Sequence, residues 1–242
     1  MKRSTILTTS AALLFVGSLA NAQSDRGRGR GRDDKKPVPP QEQQQRVDEQ
    51  RLRDSAYKMA LADQVRAGHQ AADALQQQKR TAQHSYNQQY TANLQQQQKR
   101  LRNQHPDPRR DPYYTAPMTF RYRVGSTDRE TNQYGAEVMR QAVNNGYQQG
   151  WKSGRADRTD RWPSSYQKSY GYEDANYGFG GKYLSQSDYN YYFREGFQRG
   201  YEDGYYGRQK YGRKNDSGGI NDEWLIAGAV VAAIIGYEVL KD

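Results

Sequence analysis

The chain has 242 residues, 34% hydrophobic and 26% charged, with a formal net charge of +10 and no cysteine. Its length allows one or two domains, but the apolar share lies below the roughly 45–50% of an ordinary globular chain, so one large aliphatic core is excluded. No disulfide can reinforce a thin core, and no thiolate can act as nucleophile or metal ligand.

Lys2 and Arg3 precede an apolar run, Ala11–Leu19, that is too short to span a membrane. Ala20-Asn21-Ala22 follows with the small-x-small pattern of a signal-peptidase site. This order predicts a signal peptide over 1–22, a mature chain starting at Gln23, and export to the periplasm, envelope or medium of a bacterium. Loss of Lys2 and Arg3 leaves 35 basic against 27 acidic residues, or +8. No cysteine follows the apolar run, so a lipoprotein anchor is not expected.

Residues 23–40 carry Arg-Gly repeats over Arg26–Arg32 and one large apolar residue, Val38. Such a segment cannot offset the entropy of ordering and reads as a disordered basic linker that adheres to polyanions. Residues 41–104 hold 18 glutamines between the breakers Pro39-Pro40 and His105-Pro106. Their composition favours helix. Tyr57, Leu61 and Val65, then Ala72 and Leu75, with Leu52 and Met59 seven apart, form a thin stripe nearer to a coiled-coil seam than to a core face. A long polar helix or coiled coil is expected, either one helix or two with a break near Gly68, stabilised by association, a second copy included. Residues 105–134 read as a linker.

From Tyr113 to the end lie 18 of the 21 tyrosines and 18 of the 23 glycines. Asn145–Gly154 aligns with Glu195–Gly204 at an offset of 50 residues, each copy reading G-[YF]-Q-x-G-[WY]-x-x-G. Gly146, Gly150 and Gly154, and likewise Gly196, Gly200 and Gly204, recur every four residues, with Tyr147, Trp151, Phe197 and Tyr201 beside them. That period places a glycine groove and an aromatic ridge on one side of a helix. Six helical glycines cost about 6 kcal/mol relative to alanine, which close approach of another backbone must offset. The expectation is two helices, near 135–156 and 187–207, packed as an antiparallel hairpin within 135–212. A loop over 159–186 would fold across it through Trp162, Tyr166, Tyr170 and Tyr172, and Asp188 would cap the second helix.

Asp174-x-Asn176-x-Gly178 begins like a calcium loop, but Ser185 stands where the bidentate glutamate belongs, so calcium is not expected. After a linker at 213–223, the apolar tail 224–240 is expected as a helix in which Gly228, Ala232 and Gly236 form a glycine zipper. The tail is expected to dock on the hairpin grooves, to self-associate, or to associate with a membrane. The repeats and export signal resemble a loose group of exported bacterial proteins with Tyr/Gly repeats, and the tail resembles glycine-zipper segments of envelope proteins. These resemblances imply an envelope or extracellular location and no catalytic residue.

The fold class expected is mainly α: a long polar helix or coiled coil plus a small Gly/Tyr helical hairpin, with extensive disorder. His69, His84 and His105 lack metal-ligand spacing, and Glu173-Asp174 and Glu202-Asp203 read as solvated charge. No catalytic motif, cofactor or small-molecule ligand is expected. Two functions remain. One is a non-catalytic envelope or extracellular structural protein that self-associates or packs on a partner through its Gly/aromatic faces. The other is a polyanion-binding protein for nucleic acid, polysaccharide or anionic lipid, using Arg/Lys interleaved with Tyr, as at Arg121-Tyr122-Arg123, Arg158–Trp162 and Arg208–Lys214.

Overall fold

A computed structural model describes residues 38–104, 107–214, 224–226, 228–236 and 238–239. The expected signal peptide, nearly all of the basic arm, His105 and residues 215–223 of the last linker lie outside the described residues. Within them the protein is mainly helical, with a small amount of antiparallel sheet.

Helix α1 (Pro40–Gln77) starts with Pro40 in its first turn, where the missing N–H costs nothing. It ends beyond the expected break, at Lys79, whose φ of +58° is left-handed. There Arg80 N donates to Leu75 O at 3.0 Å, closing the turn before α2 (Thr81–Asn103) folds back antiparallel. Gly68 stays inside α1, and its missing side chain admits Thr91 of α2. The stripe residues Tyr57, Leu61, Ala72 and Leu75 are buried within this one chain. Leu52 and Met59, 73% and 79% exposed, do not belong to the seam. Leu75–Arg80 and Leu94–Arg100 share the order Leu, glutamines, Lys-Arg, yet Arg80 is buried at a helix end and Arg100 exposed within a helix.

The expected linker at 105–134 contains a hairpin of β1 (Phe120–Val124) and β2 (Thr127–Thr131). Val124 pairs with Thr127 across a two-residue turn, and Gly125 supplies its positive φ of +61°. Asn132 then caps α3 (Gln133–Thr159), its side chain accepting from Tyr134 N and Gly135 N. The 159–186 segment is not a bare loop, for it holds the short helix α4 (Tyr170–Asp174). Its tyrosines bridge both helix pairs. Tyr172 packs on Phe197 and Tyr166 on Tyr201, while Tyr170 meets Tyr90 edge-on.

Helix α5 (Gln186–Tyr206) is capped by Ser185, whose hydroxyl accepts from Asp188 N at 3.1 Å. Asp188 is therefore the third helical residue rather than the cap, and its carboxylate turns inward. Gly207, φ +64°, closes the helix. The tail is not one helix. β3 (Gly212–Lys214) pairs antiparallel with β4 (Trp224–Ile226), then α6 (Gly228–Ile235) ends at Gly236, φ +53°, and β5 (Glu238–Val239) pairs with β1. No helix among the described residues is long and apolar enough to cross a membrane.

Lys79 occupies a conformation that costs an L-residue with a side chain roughly 1–2 kcal/mol. Lys79→Gly is expected to raise stability by about 0.5–1 kcal/mol after allowing for the looser unfolded chain, read as a higher melting temperature.

Candidate functional site

The two repeat copies meet each other. A Cβ at Gly146 or Gly150 would fall well under 3.0 Å from the carbonyl oxygen of Phe193 or Phe197. One at Gly154 would meet Tyr201 O in the same way. The reverse holds equally: Gly196, Gly200 and Gly204 face the carbonyls of Val143, Tyr147 and Trp151. Each glycine thus meets the carbonyl three residues before its counterpart in the other copy. Position increases along both helices together, so α3 and α5 lie parallel, not as the expected antiparallel hairpin. The 26 residues between them carry the chain back along the helix, about 40 Å for 27 residues at 1.5 Å each. The hydrogen in place of each missing Cβ points at a carbonyl oxygen, a contact that only glycine permits.

Around this seam the core is built of tyrosine and aspartate. Tyr147 OH on α3 donates to Asp203 of α5 at 2.9 Å, and Tyr201 OH on α5 returns to Asp157 of α3 at 2.6 Å. Tyr90 OH donates to Asp174 at 2.7 Å, and Tyr122 OH to Asp188 at 2.9 Å. All four aspartates are buried, so the reading of Asp174 and Asp203 as solvated charge is corrected; Glu173 is exposed. The carboxylates are satisfied locally. Asp157 pairs with Arg80, Asp188 with Arg129 at 2.7 Å, and Asp203 also accepts from Lys210 N and Tyr211 N. Asp174 accepts from Asn176 N at 3.0 Å. No cluster that would hold a metal ion occurs among the described residues. Burial pushes the Asp157 and Asp174 carboxyls above the usual range.

Neighbouring Asp160 accepts from Ala82 N and Gln83 N, both at 2.9 Å, and so caps α2 from outside that helix. His69 contacts Gln95 through its Nε2 at 2.8 Å on the surface, and His84 is half-buried on α2; neither approaches a cavity described below. In the tail, Val231 and Ile235 are buried, whereas Gly228, Ala232 and Gly236 face open surroundings and pack against no helix among the described residues. The hairpin glycine grooves are already filled.

Among the described residues, four surface clefts stand out. One of about 400 Å³ lies between β1 and α6, lined by Arg121, Arg123, Asp128 and Tyr191. A second, about 570 Å³, lies between the start of α1 and Tyr114. A third, about 240 Å³, runs beside Trp162, which Arg80 covers at 4.4 Å. The fourth, about 450 Å³, lies at the C-terminal ends of α3 and α5, lined by Trp151, Arg155, Arg158 and Arg208. Arg155 lies 4.8 Å over the Trp151 ring, and Arg208 4.8 Å over Tyr206. None of the four buried aspartates lines any of these clefts.

No protein-family model, curated protein or solved structure matches this chain.

The sequence singled out the glycine rows but missed the aspartates, because carboxylates normally face water and their tyrosine partners lie 44 to 84 residues away. The hairpin was signalled by the alternation in Phe120–Val124 followed by Gly125-Ser126.

Gly150→Ala and Gly200→Ala each force a Cβ into a backbone carbonyl and are expected to destabilise by about 1–3 kcal/mol despite better helix propensity. Gly180→Ala, with open space around it, should stay within about 0.5 kcal/mol in the same urea titration. Burial also raises thirteen tyrosines above their ordinary value of 10.0. In the unfolded chain these phenols ionise near pH 10 while the folded chain keeps them neutral. Stability is therefore expected to be intact below about pH 10 and to fall steeply above it, with phenolate absorbance appearing together with unfolding.

Proposed function

We propose that this chain is a non-catalytic protein exported to the bacterial envelope or exterior, working by contact with a partner. The observation that carries this reading is the separation of its four buried aspartates from its clefts. The carboxylates that line clefts, Asp107, Asp128 and Glu173, are exposed, whereas Asp157, Asp174, Asp188 and Asp203 are held by tyrosine, arginine and backbone donors inside the helix packing. Catalytic acids and bases must reach a substrate, and these do not. The Gly/aromatic faces at 146–154 and 196–204 are engaged with each other, so partner or self-association falls to the outer surface. Residues 224–240 would then contribute to envelope association from the surface, as α6 is too short to span a bilayer.

A second reading, binding of polyanions, is favoured by the arginines gathered at the ends of α3 and α5. Cell fractionation with N-terminal sequencing tests the first. The expected result is a chain starting at Gln23, recovered outside the cytoplasm and released from the envelope by molar salt. An unprocessed chain retained in the cytoplasm would overturn it.

A further inference from the structure

The fourth cleft gathers three arginines, two of which have no carboxylate partner among the described residues. Arg155 and Arg158 are exposed and make no ion pair among the described residues. Lys152 on the same helix and Arg161 just beyond it are exposed as well. The one carboxylate engaged there is Glu202, which pairs with Arg208 and lies 3.6 Å from Lys210. Asp157 and Asp203 are close in sequence but buried and saturated by their own donors. The Arg158 guanidinium lies against Gly207 at the C-terminal end of α5, an end whose dipole carries only about half a negative charge. Its charge is positioned rather than cancelled.

Aromatic rings accompany these cations. Trp151 lines the cleft beneath Arg155, Tyr206 is 56% exposed beside Arg208, and Tyr211 lies 4.5 Å from Lys210. An anionic membrane surface offers no planar π-face to stack on a ring, and a sulfated or uronic polysaccharide offers only aliphatic sugar faces. A concavity with three guanidinium groups around the Trp151 ring, and exposed Tyr206 beside Arg208 at its edge, fits a chain that alternates phosphates with bases.

We propose that the cleft formed by Trp151, Arg155, Arg158 and Arg208 binds single-stranded nucleic acid, the arginines holding phosphates while bases stack on its aromatic rings. The proposal rests on the polyanion reading above and narrows it to one ligand class and one place.

The test is fluorescence anisotropy of the full chain with a labelled oligo-dT of about ten nucleotides, an abasic phosphodiester chain of equal length, and labelled heparin. The expected result is that oligo-dT binds at least about tenfold more tightly than the abasic chain, since each stacked base contributes. Arg155→Gln/Arg158→Gln, on exposed positions, should leave the melting temperature unchanged, weaken oligo-dT binding about tenfold, and lower the salt slope by about two. Arg66→Gln on α1, remote in sequence from the cleft and exposed, should change neither. If the abasic chain or heparin binds as tightly as oligo-dT, the nucleic-acid assignment fails while the polyanion reading stands. If none binds at low salt, both fail. If oligo-dT binds but the arginine pair leaves its affinity and salt slope unchanged, the site lies elsewhere and the proposal is overturned.

Discussion

Two helix backbones in this protein approach until carbonyl oxygens occupy the space where side chains would be. That contact requires glycine at 146, 150 and 154 on α3 and at 196, 200 and 204 on α5, and much of the remaining structure follows from it. Because the two copies pack in parallel and in register, the chain must travel the length of a helix between them. The return segment then has to be long, and it becomes useful: α4 and the tyrosines of 166–172 join the α3/α5 pair to the α1/α2 pair. The strain of six helical glycines is offset only in the assembled pair, so these helices are expected to form together with it rather than before it.

Tyrosine completes what aliphatic residues would do in an ordinary core. Each ring contributes large apolar area, and its hydroxyl needs a partner once buried. Buried aspartates meet that need across the helix seam, at Tyr147–Asp203 and Tyr201–Asp157, and at Tyr90–Asp174 and Tyr122–Asp188. The two seam bonds follow the internal symmetry, each tyrosine reaching an aspartate six residues ahead in the register of the other copy. A chain only 34% hydrophobic can thus enclose a continuous core, with four carboxylates inside it that are hydrogen-bonded.

The buried charges serve the interior, while the surface charges run along α1 and gather again at the ends of α3 and α5. Arg80 shows the division within one residue, with a guanidinium nitrogen on buried Asp157 and its face on Trp162 at the edge of a cleft. Arg155 and Arg158, one and two turns further from the seam's centre, have solvent where Arg80 has a carboxylate.

The sequence by itself determined the helical nature of the chain, the four-residue glycine phase of α3 and α5, and the apolar positions Tyr57, Leu61, Ala72 and Leu75, because these are periodic and local. It misled at Gly68, where glycine admits Thr91 rather than ending a helix, and at Leu52 and Met59, whose seven-residue spacing is real but faces water. It did not distinguish parallel from antiparallel packing, since a glycine face repeated in two copies can mate in either sense. Only the tertiary structure decided that, through the path of the return segment, and with it the burial of the aspartates and the gathering of Trp151, Arg155, Arg158 and Arg208. Those depend on which helix ends lie side by side, a relation between residues some 50 positions apart that no local pattern encodes.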